Sequence, residues 1–316
     1  MKILVLGAGG IGGYFGGRLA QSRADVTFLV RPKRREQLRT TGLVIESPSG
    51  NAKIKVATVV AEELKPEYDV VFFTCKSYDL DSAMEAVAPA MQGECALIPM
   101  LNGMSHMPRL DARFGAANVM GGLAQINVTL RPNGTVLHME ALARIVFGER
   151  SNVATPRAQA FAHACAKANF DSKLSPGIEL EMWEKVVFLS ALAATTCLLR
   201  GNVAEIMASA EGAAIMNRAI AANIAIAVGA GFPPRAQAIE FATKRLTTPG
   251  PQSASMLRDL EAGGQVEADH IVGFMLDLAR KLGVDDTVLA FAMAHLKTYE
   301  ARRAAGRLPT TRPPSD

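Results

Sequence analysis

The chain has 316 residues, 49% of them hydrophobic and 20% charged, and a formal net charge of +4. These proportions suit a folded chain with room for two domains and a sizeable core, and they exclude intrinsic disorder and a collagen-like repeat. They also argue against a nucleic-acid binder, since the one dense basic run is Arg31, Lys33, Arg34 and Arg35.

Lys2–Leu6 is a short apolar run that stops at Gly7, the pattern of a buried parallel strand. A glycine-rich turn and a helical stretch to about Gln21 follow, then a second apolar strand at Val26–Val30, which completes a βαβ unit. Leu43–Glu46 and Lys53–Ala57 read as a hairpin around Ser49-Gly50-Asn51. Further strands are expected at Val70–Thr74, Ala96–Met100, Val119–Val128 and Val136–Val146, the last two joined by a Pro132-Asn133-Gly134 turn. The alternation predicts a doubly wound sheet with some antiparallel additions. Thr155–Ala168 has a helical composition. Past Pro176 the chain becomes Ala/Leu/Met-rich, and helices are expected at 179–200, 203–208, 211–231, 235–246, 266–282 and 286–303. The fold class is therefore an α/β Rossmann-like N-terminal domain (1–172) followed by an all-α C-terminal domain (173–306). A disordered tail is expected over 307–316.

Four scattered cysteines, Cys75, Cys95, Cys165 and Cys197, form no CxxC pair and read as reduced thiols of a cytoplasmic protein. The five histidines form no HExxH, and no metal is expected. The first residues lack the features of a signal peptide. No apolar run looks long enough for a bilayer span, so neither membrane nor nucleic acid is an expected partner.

Gly7-Ala8-Gly9-Gly10-Ile11-Gly12 matches GxGxxG in the context that gives the motif its meaning, after a strand and opening a helix. Gly7 permits the turn, Gly9 lets a pyrophosphate approach, and Gly12 lets helix and strand pack closely. NAD binders carry an acid about 20 residues further on. Here Arg31 stands in that place, which favours the 2′-phosphate of NADP, with Lys33, Arg34 and Arg35 adding positive potential. Lys76 follows the Val70–Thr74 strand, where it meets a cofactor ribose or is a surface lysine. Asn102 precedes Gly103 after the Ala96–Met100 strand, where it bonds a ribose or substrate or is simply turn chemistry. Lys185, in Trp183-Glu184-Lys185, can protonate and stabilise a developing alkoxide, although a helical lysine is more often a solvated one.

GAGGIG, Arg31, Cys75-Lys76, Asn102-Gly103, Trp183-Glu184-Lys185 and a later segment, Ser253-Ala254-Ser255-Met256-Leu257-Arg258-Asp259 through Gln265-Val266-Glu267-Ala268-Asp269 to Gly273, together resemble the ketopantoate reductase (2-dehydropantoate 2-reductase) family over nearly the whole chain. The resemblance implies NADPH-dependent reduction of the 2-oxo acid ketopantoate to pantoate, in pantothenate biosynthesis. It implies Lys185 as general acid, Asn102 and Lys76 near nicotinamide and ribose, Ser255 on the substrate carboxylate, and Glu267 beside the cofactor. From the residues alone, Ser255 is equally a helix N-cap and Glu267 a solvated first-turn acid. A homodimer is left open.

The family commonly has asparagines four and eight residues after the lysine. Here Leu189 and Ala193 occupy those places and are expected to share the Lys185 face of the helix. Leu101 replaces a frequent Gln. Two alternatives therefore stand beside ketopantoate reduction: a paralogous reductase of a different, more apolar 2-oxo acid, and a non-catalytic NADPH-binding redox sensor.

Overall fold

The structure is a computed structural model and describes residues 1–308. The chain divides into two compact units. One comprises Met1–Leu101 and His106–Glu179; the other comprises Asn102–Ser105 and the chain from Leu180 on. The four-residue segment 102–105 thus belongs with the helical unit, although it follows a strand of the first.

The first unit begins β1 (Lys2–Leu6), α1 (Gly10–Gln21), β2 (Asp25–Leu29), α2 (Pro32–Thr41), β3 (Leu43–Glu46), β4 (Ala52–Ile54), β5 (Ala57–Val59) and β6 (Val70–Phe73). It continues α3 (Leu80–Val87), β7 (Ala96–Pro99), α4 (Met107–Phe114), β8 (Gly121–Leu130), β9 (Val136–Gly148), α5 (Pro156–Cys165) and β10 (Asp171–Leu174). The expected doubly wound sheet is present as five parallel strands in the order β5-β2-β1-β6-β7. The strand order turns back at β1, so a crevice opens at the C-terminal ends of β1, β2 and β6, where ligands of such sheets bind.

The antiparallel additions are not extensions of that sheet. They form a second one, β10-β9-β3-β4, with β8 also paired to β9. The Lys53–Ala57 strand is likewise corrected. Its first half is β4, antiparallel to β3, while Ala57 opens β5, which pairs with β2 in the other sheet. Tyr14, Phe15, Phe72, Phe147 and Phe161 form the aromatic centre of the core. Phe15 meets Tyr14, Phe72 and Phe170 edge-on, the preferred arrangement for such rings.

The second unit is helical, as expected. It holds most of α6 (Ile178–Leu199), then α7 (Val203–Met207), α8 (Ala210–Gly229), α9 (Ala236–Thr247) and α10 (Ser255–Glu261). A π-helical turn (Asp269–Gly273) leads into α11 (Phe274–Leu282), and α12 (Thr287–Ala304) completes it. Of the helix expected over 266–282, Val266 and Glu267 lie outside any helix, and the rest is two pieces with different pitch. α8 packs against α7, α9, α11 and α12. Trp183 of α6 stacks on Phe232, with ring centroids 5.3 Å apart.

The expectation that no apolar run reaches a bilayer-spanning length is corrected by α6 and α8. Both are long and apolar enough by composition, each with a mean hydropathy of 1.4. Val186, Leu192 and Cys197 of α6 and Met216, Ile220 and Ile226 of α8 are nevertheless buried inside the protein, so core packing accounts for their apolar character. The tail expected to be disordered lies, from Pro309 on, outside the described residues.

Close approach of α1 to the parallel sheet depends on Gly12. A Cβ there would penetrate the Gly7 carbonyl oxygen and the Thr74 hydroxyl, and the Thr74 hydroxyl in turn donates to Leu6 O at 2.6 Å. Gly12→Ala should therefore cost about 1–3 kcal/mol, the usual penalty for overpacking. The loss should appear as a lower urea midpoint by circular dichroism; an unchanged midpoint would show that helix and sheet can separate without cost.

Candidate functional site

In the first unit the glycine loop joins β1 to α1. Gly7 has φ +82°, a conformation that glycine adopts at no steric cost. Gly9 is different. Its φ is −83°, and a Cβ there would meet nothing within 4 Å. Neither backbone strain nor protein packing calls for glycine at this position, whereas a ligand lying on the loop would. Gly9 is also the N-cap of α1, with no side-chain cap and no acid in the first turn. The first N–H groups of the helix, from Gly10, Ile11 and Gly12, thus have no intrahelical acceptor, the arrangement that receives phosphate. The loop residues present fit a dinucleotide pyrophosphate.

The basic run after β2 has three distinct fates. Arg31 caps α2 ahead of Pro32, and its guanidinium, 77% exposed, donates to Asp79 at 3.1 Å. An exposed pair of this kind is worth about 0–1 kcal/mol, so an arriving phosphate can displace it. Arg35 is paired with Glu63 at 2.8 Å. Arg34 does not serve as free positive potential. Its Nε and Nη2 donate to Ala8 O at 3.2 and 2.9 Å, and its Nη1 donates to Gly134 O at 3.0 Å. The two ends of a trans peptide point in opposite directions. By holding the Ala8 carbonyl on its own side, Arg34 turns the Gly9 N–H to the other. Sequence reasoning missed this role, because a buried carbonyl partner leaves no mark on residue spacing. Lys76 sits just past β6 as the N-cap of the turn at Ser77–Asp79, on the same strand-end side of the sheet as the glycine loop.

In the second unit, Lys185 of α6 donates from Nζ to Asn102 Oδ1 at 2.8 Å. Two residues 83 positions apart are thus brought together. Burial pushes the Lys185 ammonium down to about 8 from an ordinary 10.5, and the nearby Glu267 carboxylate opposes that fall. Glu267 is buried, so it is not the solvated acid that the sequence also allowed. Ser255 is the first residue of α10, one place after the N-cap Ala254, so it is not the N-cap that the sequence also allowed. Leu189 is half-buried, but Ala193 has no exposed surface. Of the two positions expected on the lysine face, only Leu189 offers surface to a ligand.

Two residues the sequence reading did not single out adjoin this group. The Ser105 hydroxyl and His270 Nδ1 share a hydrogen bond of 2.5 Å, and His270 belongs to the π turn. π turns occur often at functional sites, but an isolated serine and histidine 165 positions apart carry no spacing signal.

The arrangement can hold a proton at Lys185 Nζ near neutrality and deliver it to an oxygen. Replacing Glu267 by Gln removes the negative charge that raises the lysine. The midpoint of Lys185, followed by NMR of 13C-labelled lysine side chains, should then fall below about 8. A midpoint that stays or rises would mean that Glu267 does not act on this amine.

Comparison with known proteins covers both units. The family described as "Ketopantoate reductase PanE/ApbA" matches residues 3–152, and "Ketopantoate reductase PanE/ApbA C terminal" matches residues 177–300. The uncharacterized oxidoreductase YkpB of Bacillus subtilis is 37% identical over 304 residues, covering 96% of this chain and all of that one. The 2-dehydropantoate 2-reductase of Mesorhizobium japonicum is 28% identical, covering 89% of this chain and 92% of its own. The crystal structure of 2-dehydropantoate 2-reductase from Methylococcus capsulatus superposes with a TM-score of 0.85 at 26% identity, covering 96% of this chain and 98% of that one. The chain belongs to the ketopantoate reductase family of oxidoreductases.

Proposed function

We propose that this protein reduces a 2-oxo acid with NADPH, ketopantoate being the first candidate, and that Lys185 supplies the proton. The observation that carries the reading is the Lys185 ammonium, held by Asn102 at 2.8 Å, with its pKa brought down to about 8 by burial beside Glu267. A general acid works best when its pKa lies near the working pH. The nicotinamide dinucleotide, when bound, supplies the hydride. Gly7, Ala8, Gly9, Gly10, Ile11 and Gly12 would hold its pyrophosphate, Arg31 its 2′-phosphate and Lys76 its ribose.

Lys185 first polarises the substrate carbonyl by pointing its positive charge at the oxygen, then passes a proton from Nζ to that oxygen. Asn102 keeps the amine aimed, and Glu267 keeps it charged until transfer. The Ser255 hydroxyl receives the substrate carboxylate. The four cysteines are all unbridged, in keeping with reduced thiols in the cytoplasm as the proposed location.

A second reading of the substrate rests on Leu189. A leucine there gives a 2-oxo acid an apolar neighbour where the family commonly offers an asparagine. A panel of 2-oxo acids, from ketopantoate to those with larger apolar side chains, followed by loss of NADPH absorbance, decides between the readings. Tight NADPH binding with no turnover of any acid would instead support a cofactor-sensing protein.

Two substitutions test the roles. Arg31→Ala should weaken NADPH binding by about 1.5–3 kcal/mol, the scale of a hydrogen bond to a charged group, and leave NADH binding nearly unchanged. Equal losses for both cofactors, measured by calorimetry, would remove Arg31 from the 2′-phosphate. Lys185→Ala should lower kcat by roughly 10²–10⁴-fold while NADPH still binds. In the parent protein the rate of reduction should be level below about pH 8 and fall about tenfold per pH unit above it, as the ammonium loses its proton. Near-normal turnover by the alanine variant would exclude the lysine as the acid.

A further inference from the structure

We infer that His270 is a positioning residue for the proton donor: through Ser105 and Gly103 it fixes the segment that carries Asn102, and through Asn102 it holds the Lys185 amine. The inference rests on the reading of Lys185 as the acid.

Residues 102–105 form neither helix nor strand, and such segments are ordinarily the loosest part of a fold. Yet Asn102 must present Oδ1, and not its amide nitrogen, to a lysine. His270 meets this segment twice. Its ring shares the hydrogen bond with the Ser105 hydroxyl. Its backbone carbonyl oxygen and ring Cδ2 lie 2.9 and 3.0 Å from where a Cβ of residue 103 would be. Gly103 also has φ +86°, so two independent constraints admit only glycine. With Ser105 tied to His270 and Gly103 pressed against it, the backbone just after Asn102 is held where Asn102 Oδ1 accepts from Lys185 Nζ.

The π turn makes this placement possible. Glu267 lies two residues before it, with its carbonyl accepting from Ile271 N at 3.2 Å, and His270 is within it. The Glu267 carboxylate acts on Lys185, and the His270 ring bonds Ser105. One short stretch therefore brings a carboxylate to act on the charge of Lys185 and an imidazole to act on its hydrogen-bond partner. His270 is buried, so its contacts are made inside the fold and not on a solvated surface.

The test reads the Lys185 amine itself, by NMR titration of 13C-labelled lysine side chains without cofactor or substrate. A carbonyl oxygen accepting from an amine favours its charged form. His270→Phe should loosen Asn102 and lower the Lys185 midpoint by about half a pH unit or more. His270→Asn, whose amide reaches the place of Nδ1, should restore it. In an Asn102→Ala background, His270→Phe should add nothing. An unchanged midpoint in His270→Phe, or a shift of the same size without Asn102, would overturn the inference. If His270→Phe does not fold, Ser105→Ala removes the same bond and must lower the midpoint in the same way; no change there is equally fatal. Because the titration needs no turnover, it gives its answer even if the protein reduces none of the acids tried. Conversely, the role of Lys185 as acid falls only if Lys185→Ala keeps its activity.

Discussion

An ammonium taken out of water has lost its best stabilisation, and the second unit is organised around one such group. Burial favours the neutral amine of Lys185 and the Glu267 carboxylate favours the charged one, while Asn102 Oδ1 accepts from the amine at 2.8 Å. The balance at about 8 leaves an ammonium that is mostly charged at neutral pH. Each contributor comes from a different part of the chain. The burial comes with the packing of α6, on which Lys185 is partly exposed. The carbonyl comes from the segment after β7, and the carboxylate from the approach to the π turn. A shift in any one of them changes the chemistry without touching the lysine.

Much of the first unit was legible because buried parallel strands are continuous apolar runs ended by glycine or polar residues. β1, β6 and β7 were read almost to the residue for that reason. Lys53-Ile54-Lys55-Val56-Ala57 misled because its strict alternation looks like one strand, whereas the chain changes sheet within it. β10, Asp171-Ser172-Lys173-Leu174, escaped notice because four mostly polar residues carry no periodic signal; its place is set by pairing with the long strand β9. The π turn was invisible for a related reason. A single widened turn shifts the apolar pattern of 266–282 too little to break a helical reading.

The candidate site divides in the same way. Gly7 to Gly12 and Lys185 could be found because a motif or a resemblance marks them. The partnership of Lys185 with Asn102 could not be read from residues alone, since only the fold closes that distance. Arg31, Arg34 and Arg35 show how little residue type decides. One guanidinium is held loosely at the surface, one is paired to Glu63, and one braces the peptide that leads into Gly9. Leu189 and Ala193 part company similarly: equal by helical spacing, unequal once folding leaves Ala193 with no exposed surface.

The membership of residues 102–105 in the helical unit bears on how the protein is made. Ser105 leaves the ribosome 165 residues before His270. At synthesis rates of about 5–20 residues per second, the interval is roughly 8–33 s. The parallel sheet can assemble in that time, but the segment that aims the lysine has to wait for nearly the whole chain. A nascent chain halted before the π turn would carry a glycine loop ready for nucleotide and a lysine with no settled partner. The glycine loop and the setting of Lys185 are therefore completed at different moments of biosynthesis, and the second comes late.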